Sequence, residues 1–358
     1  MKAWVLHGIS DIHLETWEKP VPGSGEVLVK VKAVGICGSD IPRIYKTGAY
    51  SHPLIPGHEF SGTVVSIGEG ADSRWTGKAV GVFPLIPCGE CLPCQNKQYE
   101  MCRHYSYLGS RRNGGFAEYV SVPADNLIEL PDGVSFEEAA MLEPMAVAVH
   151  AMRRVRPGKE DTVAICGMGT IGLLLLMFLL ETRKREEGNQ GKILVIGNKE
   201  FQRQEVLELG LPESSWCDVG RQEAGQWLME QTKGRGADVF FECVGKQETL
   251  AQAVNHTAAG GRICLVGNPA SDMLLERNVY WKILRNQLAV TGTWNSSFTH
   301  ERTDDWHYVL DLLQRKQISP GRLITHRFSL EDLNRGFEMM RDKSADYVKI
   351  MGIPGEII

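Results

Sequence analysis

The chain has 358 residues with a formal charge of −5, 43% apolar and 23% charged side chains. That balance excludes a disordered chain and a basic nucleic-acid surface, and the length exceeds one small core, so two domains are expected. The opening "MKAWVLHGISDIHLETWEKP" lacks a signal-peptide apolar core, which predicts a cytoplasmic protein whose thiols stay reduced.

The first 150 or so residues show short β runs, "EVLVKVKAVGI" and "FSGTVVSIG", punctuated by "PGSGE" and "GEGADS". Between these two runs stand Cys37, Ser39, His58 and Glu59, in "GICGSD" and "GHEFSG". Taken singly, Cys37 reads as a small core residue and His58 as a satisfied buried histidine. Ser39 opens "GSD", a good helix-capping sequence, and Asp40 reads as a cap or a support behind the site.

Next comes "PCGECLPCQNKQYEMC", with Cys88, Cys91, Cys94 and Cys102 spaced C-x2-C-x2-C-x7-C. Two-residue gaps in a Pro- and Gly-rich loop turn successive thiolates towards one point. An iron–sulfur cluster is the main rival, but the last gap and the missing trailing proline do not follow ferredoxin spacing. Four thiolates fill zinc's coordination shell, so this is expected to be a structural site in a lobe spanning about 86–104.

"GSRRNGG" follows, with Arg111 and Arg112 expected near a strand end. Two guanidiniums suit a phosphate, whereas neighbours on a strand face opposite ways, so at most one is expected to point inward. Glu143 lies in the apolar helical run "AAMLEPMAVAVHA", where a buried carboxylate needs a cation or a hydrogen-bond partner. A carboxylate favoured by a helix N-terminus is the plainer reading.

In "DTVAICGMGTIGLLLLMFLL" a β stretch leads into Gly167-x-Gly169-x-x-Gly172 and an apolar helix. The ten apolar residues from Ile171 are too few to span a bilayer, so a buried helix is expected. Strand, glycine turn and helix together form the context of a dinucleotide fingerprint: a tight turn, a close backbone approach and helix–strand packing. The alternation continues through "KILVIG", "RQEVLELG", "ADVFFECVG", "QETLAQAVNHT" and "GRICLVG", a parallel Rossmann sheet with crossover helices. Cys166, Cys243 and Cys264 read as strand positions and Cys217 as near a short strand, all of them core residues without metal. The loop "KREEGNQG" lengthens the approach to the second strand. At that strand's end an NAD enzyme would carry an acid; here stand Gly197, Asn198 and Lys199, twenty-five residues past Gly172. Room for a 2′-phosphate, a cation at Lys199 and help from Arg203 place NADP ahead of NAD. The competing reading makes Lys199 a solvated turn residue and gives the ribose to Glu200. Thr170, Ile171, Val244 and Val266 complete the expected cofactor contacts.

"CGSDIPRIYKTGAY", "GHEFSG", "GSRRNGGFAEY" and "EPMAVAVHA", with the cysteine lobe and glycine motif between and after them, resemble the zinc-dependent medium-chain dehydrogenase/reductase family along essentially the whole chain. The likeness is closest to its polyol branch. The resemblance implies an α/β architecture: a GroES-like β-rich catalytic domain at 1–153, a Rossmann domain at 154–296, and a return to the catalytic domain at 297–358. It implies two Zn2+ ions, one structural and one catalytic, the latter held by Cys37 and His58 with Glu143 or Glu59. Glu143 stands where simple alcohol dehydrogenases use a cysteine. Ser39 takes the family's proton-relay position. The expected partner is a polyol or polyol phosphate such as galactitol 1-phosphate, with no nucleic acid and no membrane, and the expected assembly is a homodimer or homotetramer. A threonine or simple alcohol dehydrogenase is the competing enzyme, and a non-catalytic cofactor-binding protein the reading outside enzymes.

Overall fold

The computed structural model describes residues 1–184, 188 and 190–355. They form two compact units: Met1–Ala146 with Ser296–Ile358, and Val147–Asn295. The first division falls inside the helix Leu142–Val155, where no linker composition marks it.

In the first unit, the strand Glu26–Ile36 carries the fold. It alternates buried valines (Val27, Val29, Val31) and pairs antiparallel with Glu59–Ile67 on one side. Near its far end Gly35 faces Met351 of the strand Lys349–Ile353, so the last segment of the chain closes the sheet begun by the first. Ile324–Ser329 extends that edge in parallel, while Ala79–Val82 and Leu127–Glu129 extend the other and Tyr119–Pro123 pairs with the start of Glu26–Ile36. Side chains of Phe60, Phe116 and Phe337 fill the interior, with Trp4 edge-on to Phe337 and its indole N–H donated to the Leu330 carbonyl at 2.6 Å. The expected β-rich character is present, built from buried β-branched residues at alternate positions.

The second unit is a six-stranded parallel sheet. Its order is Trp216–Asp218, Ile193–Gly197, Val163–Cys166, Ala237–Glu242, Thr257–Leu265, Ala289–Gly292. Strand order reverses beside the first strand in sequence, the doubly wound pattern that opens a crevice at the strand ends. The helix Thr170–Lys184 follows Val163–Cys166, and Leu173 to Leu176 and Phe178 are wholly buried, so its apolar run serves the core. Among the described residues no helix is long and apolar enough to cross a membrane.

One local expectation changes. Cys243 lies just past the strand Ala237–Glu242. Arg111 and Arg112 lie, as expected, near a strand end, in the turn after the short strand Ser106–Tyr107 that is closed by hydrogen bonds from both amides to the Tyr107 carbonyl. Of "KREEGNQG", residues 185–187 and 189 lie outside the described residues.

Candidate active site and metal centres

The Glu26–Ile36 strand delivers Cys37 to the end of the first unit's sheet. The Cys37 amide donates to Asp40 Oδ2 at 3.0 Å, which bends the chain back on itself. Asp40 is fully buried and accepts from Arg43 at 2.7 Å. Burial opposes its charge, but His58, Arg43 and the Cys37 amide together hold its pKa below the ordinary range. Ser39 therefore does not cap a helix with its side chain. Its hydroxyl instead donates to Cys37 Sγ at 3.3 Å.

Gly57 has a φ of +91°, and a Cβ there would meet Phe116 at 2.6 Å. This close pass of the backbone sets His58 and Glu59 at the start of their strand. The ligand atoms of Cys37, His58 and Glu59 all lie within 4.8 Å of one another. His58 Nδ1 is buried without a hydrogen-bond partner and lies 3.6 Å from Asp40 Oδ1. Burial works against a charged imidazole, yet Asp40 and Cys37 keep its pKa well above the usual histidine value. A cysteine sulfur, a buried imidazole with an unpartnered Nδ1 and a buried carboxylate within 4.8 Å of one another form a mix of soft and intermediate donors that fits zinc.

Glu143 lies in the first turn of its helix, outside that trio, and accepts from the Tyr107 hydroxyl at 3.3 Å. Burial pushes its pKa up to about 7, with the charge of Glu59 adding to the rise. The Tyr107 ring meets His58 edge-on at 5.7 Å, and burial beside Glu143 raises its pKa in turn.

One residue of this site escaped sequence reasoning. Lys349 is fully buried and donates to both Glu59 oxygens, at 2.6 and 2.9 Å, and to the Ile36 carbonyl at 3.2 Å. Gly35 makes this arrangement fit, since a Cβ there would stand 2.2 Å from Glu59 Oε2. The signal was available: "YVKIMGI" is an apolar strand pattern interrupted by one lysine, and a buried ammonium requires a carboxylate.

The four cysteines of the second cluster likewise gather within 4.8 Å, with Sγ–Sγ distances of 3.5 Å for Cys91–Cys94 and 3.9 Å for Cys88–Cys94 and Cys91–Cys102. A tetrahedral Zn–S shell with bonds of about 2.3 Å separates its sulfurs by about 3.8 Å, so the thiols fit zinc. None of them is in a disulfide.

In the second unit the three glycines divide their work. Gly167 turns at φ +98°. A Cβ on Gly172 would strike the Gly167 carbonyl at 2.0 Å, whereas one on Gly169 would meet nothing within 4 Å. Thr170 and Ile171 begin the helix. Glu242, 2% exposed, accepts from the amides of Val244 and Gly245 and from the Thr249 hydroxyl, and its carbonyl takes the Val266 amide. Two expectations at the second strand's end need correction. Gly197 leaves space that Trp216 already fills, a Cβ there standing 2.3 Å from the indole. Arg203 is not directed to a phosphate: it pairs with Glu200 at 2.6 Å and with Glu213. Asn198 and Lys199 precede the helix Glu200–Glu208, and the Lys199 ammonium lies 5.2 Å from the Phe201 ring centroid.

Residues 23–132 match the family profile described as alcohol dehydrogenase GroES-like domain, and residues 187–315 match zinc-binding dehydrogenase. Galactitol 1-phosphate 5-dehydrogenase of Escherichia coli K12 is 33% identical over 306 residues, 86% of each chain. L-idonate 5-dehydrogenase of Vitis vinifera is 33% identical over 98% of this chain and 94% of that protein. The crystal structure of galactitol-1-phosphate dehydrogenase from Escherichia coli superposes with a TM-score of 0.88 at 30% identity, covering 99% of this chain and all of that one. Two profiles matched in chain order, relatives a third identical over most of the chain, and a shared two-domain fold lead to one conclusion: the chain belongs to the zinc-dependent medium-chain dehydrogenase/reductase family of NAD(P)-dependent oxidoreductases.

Proposed function

We propose that this protein oxidises a secondary alcohol of a polyol or polyol phosphate, and reduces the corresponding ketone in reverse. The observation that carries the reading is the buried convergence of Cys37, His58 and Glu59 beside Ser39, with Glu143 close by on a separate helix. Zinc held by Cys37, His58 and a carboxylate from Glu59 or Glu143 would supply Lewis acidity to an alcohol oxygen, and a bound nicotinamide dinucleotide would accept the hydride. Ser39 Oγ would take the alcohol proton; its half-buried hydroxyl within hydrogen-bond reach of Cys37 Sγ supports that role. Asp40 orients His58 from behind and keeps that end of the site anionic. Tyr107 holds Glu143 in place.

The four-cysteine lobe is assigned a structural zinc. Catalysis is assigned to 1–153 with 297–358, and cofactor binding to 154–296, with contacts from Gly167, Gly169, Thr170, Ile171, Gly172, Asn198, Lys199, Val244 and Val266. The absent acid at position 197 and the cation at Lys199 support use of NADP, although Arg203 is engaged elsewhere. Nine free cysteines support a cytoplasmic setting. A homo-oligomer is supported by the strand Ala289–Gly292, which ends the parallel sheet with Val290 40% exposed.

The test is the purified protein's zinc content together with cofactor reduction over a panel of sugar alcohols and their phosphates. Two zincs per chain and turnover of at least one polyol form are expected. Cys37→Ser should abolish turnover and remove one zinc while leaving nucleotide binding intact. A Cys37→Ser protein with wild-type kcat overturns the assignment.

A further inference from the structure

The two adjacent arginines of "GSRRNGG" have different surroundings. Arg112 is committed: its guanidinium pairs with Glu26, a carboxylate that also accepts from Ser121 at 2.6 Å. Arg111 has no carboxylate partner among the described residues. Its guanidinium carbon lies 4.1 Å from the centroid of Tyr50 and 4.7 Å from that of Tyr105. Stacking on aromatic rings uses the faces of the guanidinium and leaves its N–H edge free.

That edge is held in place relative to the chemistry. The Arg111 amide donates to the Tyr107 carbonyl at 2.9 Å. Tyr105 meets Tyr107 edge-on at 6.3 Å, and Tyr107 in turn touches His58 and Glu143. A line of contacts therefore runs from the metal-ligand group through two tyrosines to an exposed, unpaired cation, all within the first unit. Contacts of 4.7, 6.3 and 5.7 Å in succession link that cation to His58 with two rings between them, so it is not itself in contact with His58 along this line.

We propose that Arg111, clamped by Tyr50 and Tyr105, is the anchor for a phosphate monoester on the substrate, so that the preferred polyol is one phosphorylated away from the carbon that is oxidised. This rests on the polyol reading above. A phosphate dianion takes two parallel N–H bonds from a guanidinium, and the two rings have already restricted the arginine's rotamers, which lowers the entropy lost on binding. Lysine at this position would supply charge without the planar fork or the double stacking.

The experiment uses the zinc-loaded enzyme with a hexitol and the same hexitol carrying a terminal phosphate, each at saturating cofactor. The readout is the ratio of the two kcat/KM values in wild type, Arg111→Gln, Arg111→Lys and Arg112→Gln. The wild type should favour the phosphorylated form. Arg111→Gln should shrink that ratio about ten- to a hundredfold, mainly through KM, as expected for loss of a charge-assisted bidentate contact. Arg111→Lys should fall between the two, and Arg112→Gln should keep the wild-type ratio. A wild type indifferent to phosphate, or an Arg111→Gln protein with an unchanged ratio, overturns the anchor and leaves polyol oxidation standing. Failure of the wild type to oxidise either form overturns the polyol reading and the anchor with it.

Discussion

Lys349 and Glu59 form a pair that neither strand could tolerate alone. Each is almost wholly shielded from solvent, and the lysine spends its donors on two carboxylate oxygens and a strand-end carbonyl. Burial alone would lower the lysine's pKa, but the charge of Glu59 raises it, so the ammonium stays charged. Removing one member of a buried pair leaves an uncompensated charge, which costs about 3–5 kcal/mol, whereas removing both costs far less. Lys349→Met is therefore expected to lower the urea-unfolding stability of zinc-stripped protein by about that amount, and Glu59→Gln combined with Lys349→Met should recover most of it. A single variant within about 1 kcal/mol of wild type, or a double variant no better than the single, would remove this account. The residue scale is also where the sequence spoke least clearly. Cys37, His58 and Glu59 each have a bland reading in isolation, and only the paired strands bring them within 4.8 Å. Glu143 was legible as a carboxylate in an apolar run needing a partner, but nothing in the chain pointed to Tyr107 as that partner.

At the scale of elements the glycine turn shows why the parallel sheet was easier to read than the arginine turn. A strand, three spaced glycines and an apolar helix are each local patterns, and their order is enough to specify a Rossmann crossover. The "GSRRNGG" stretch has turn composition too, but its shape depends on Tyr107 and on Gly57, whose backbone a Cβ on Gly109 would hit at 2.6 Å. Those are contacts between segments, and the sequence pattern does not display them. The same holds for Gly197, whose reason for being glycine is a tryptophan on the neighbouring strand. Two variants separate structure from binding within the turn. Gly172→Ala drives a Cβ into the Gly167 carbonyl, so the helix must back away from the strand, and a loss of about 1–3 kcal/mol is expected with weakened dinucleotide binding. Gly169→Ala has open space on the protein side, so its thermal stability should match wild type within about 0.5 kcal/mol while cofactor Kd rises at least tenfold. Calorimetric unfolding and fluorescence titration with NADH or NADPH measure both. Equal stability losses in the two variants, or unchanged Kd in Gly169→Ala, would contradict the division of labour among the glycines.

For the whole molecule, the open question is how the parallel sheet ends. The strand Trp216–Asp218 closes one edge with a buried tryptophan, but Ala289–Gly292 ends the other with only Thr257–Leu265 as a neighbour. An edge strand offers a row of unpaired N–H and C=O groups, and soluble proteins blunt such edges with charge, proline or a covering element. This one carries Ala289, Val290, Thr291 and Gly292, with no charge and no proline, and the chain around it exposes Tyr280, Trp281, Leu284 and Trp294 by roughly half each. Large apolar side chains at that exposure around an unprotected edge point to a protein partner. A second copy of the chain satisfies the requirement economically, because a two-fold axis beside the strand brings identical edges together antiparallel and supplies the same hydrogen bonds to both. The edge's composition was readable as a strand, but its terminal position in the sheet was not, since strand order depends on the crossovers between elements. Val290→Lys places a desolvated charge opposite its own symmetry mate, which natural edges use to prevent such pairing. Multi-angle light scattering should give a dimer or tetramer mass for wild type at micromolar concentration and a single-chain mass for Val290→Lys, with zinc content and dinucleotide binding retained. A wild type that elutes at 39.8 kDa, or a Val290→Lys protein that keeps the wild-type mass, would rule out this edge as the seam between copies.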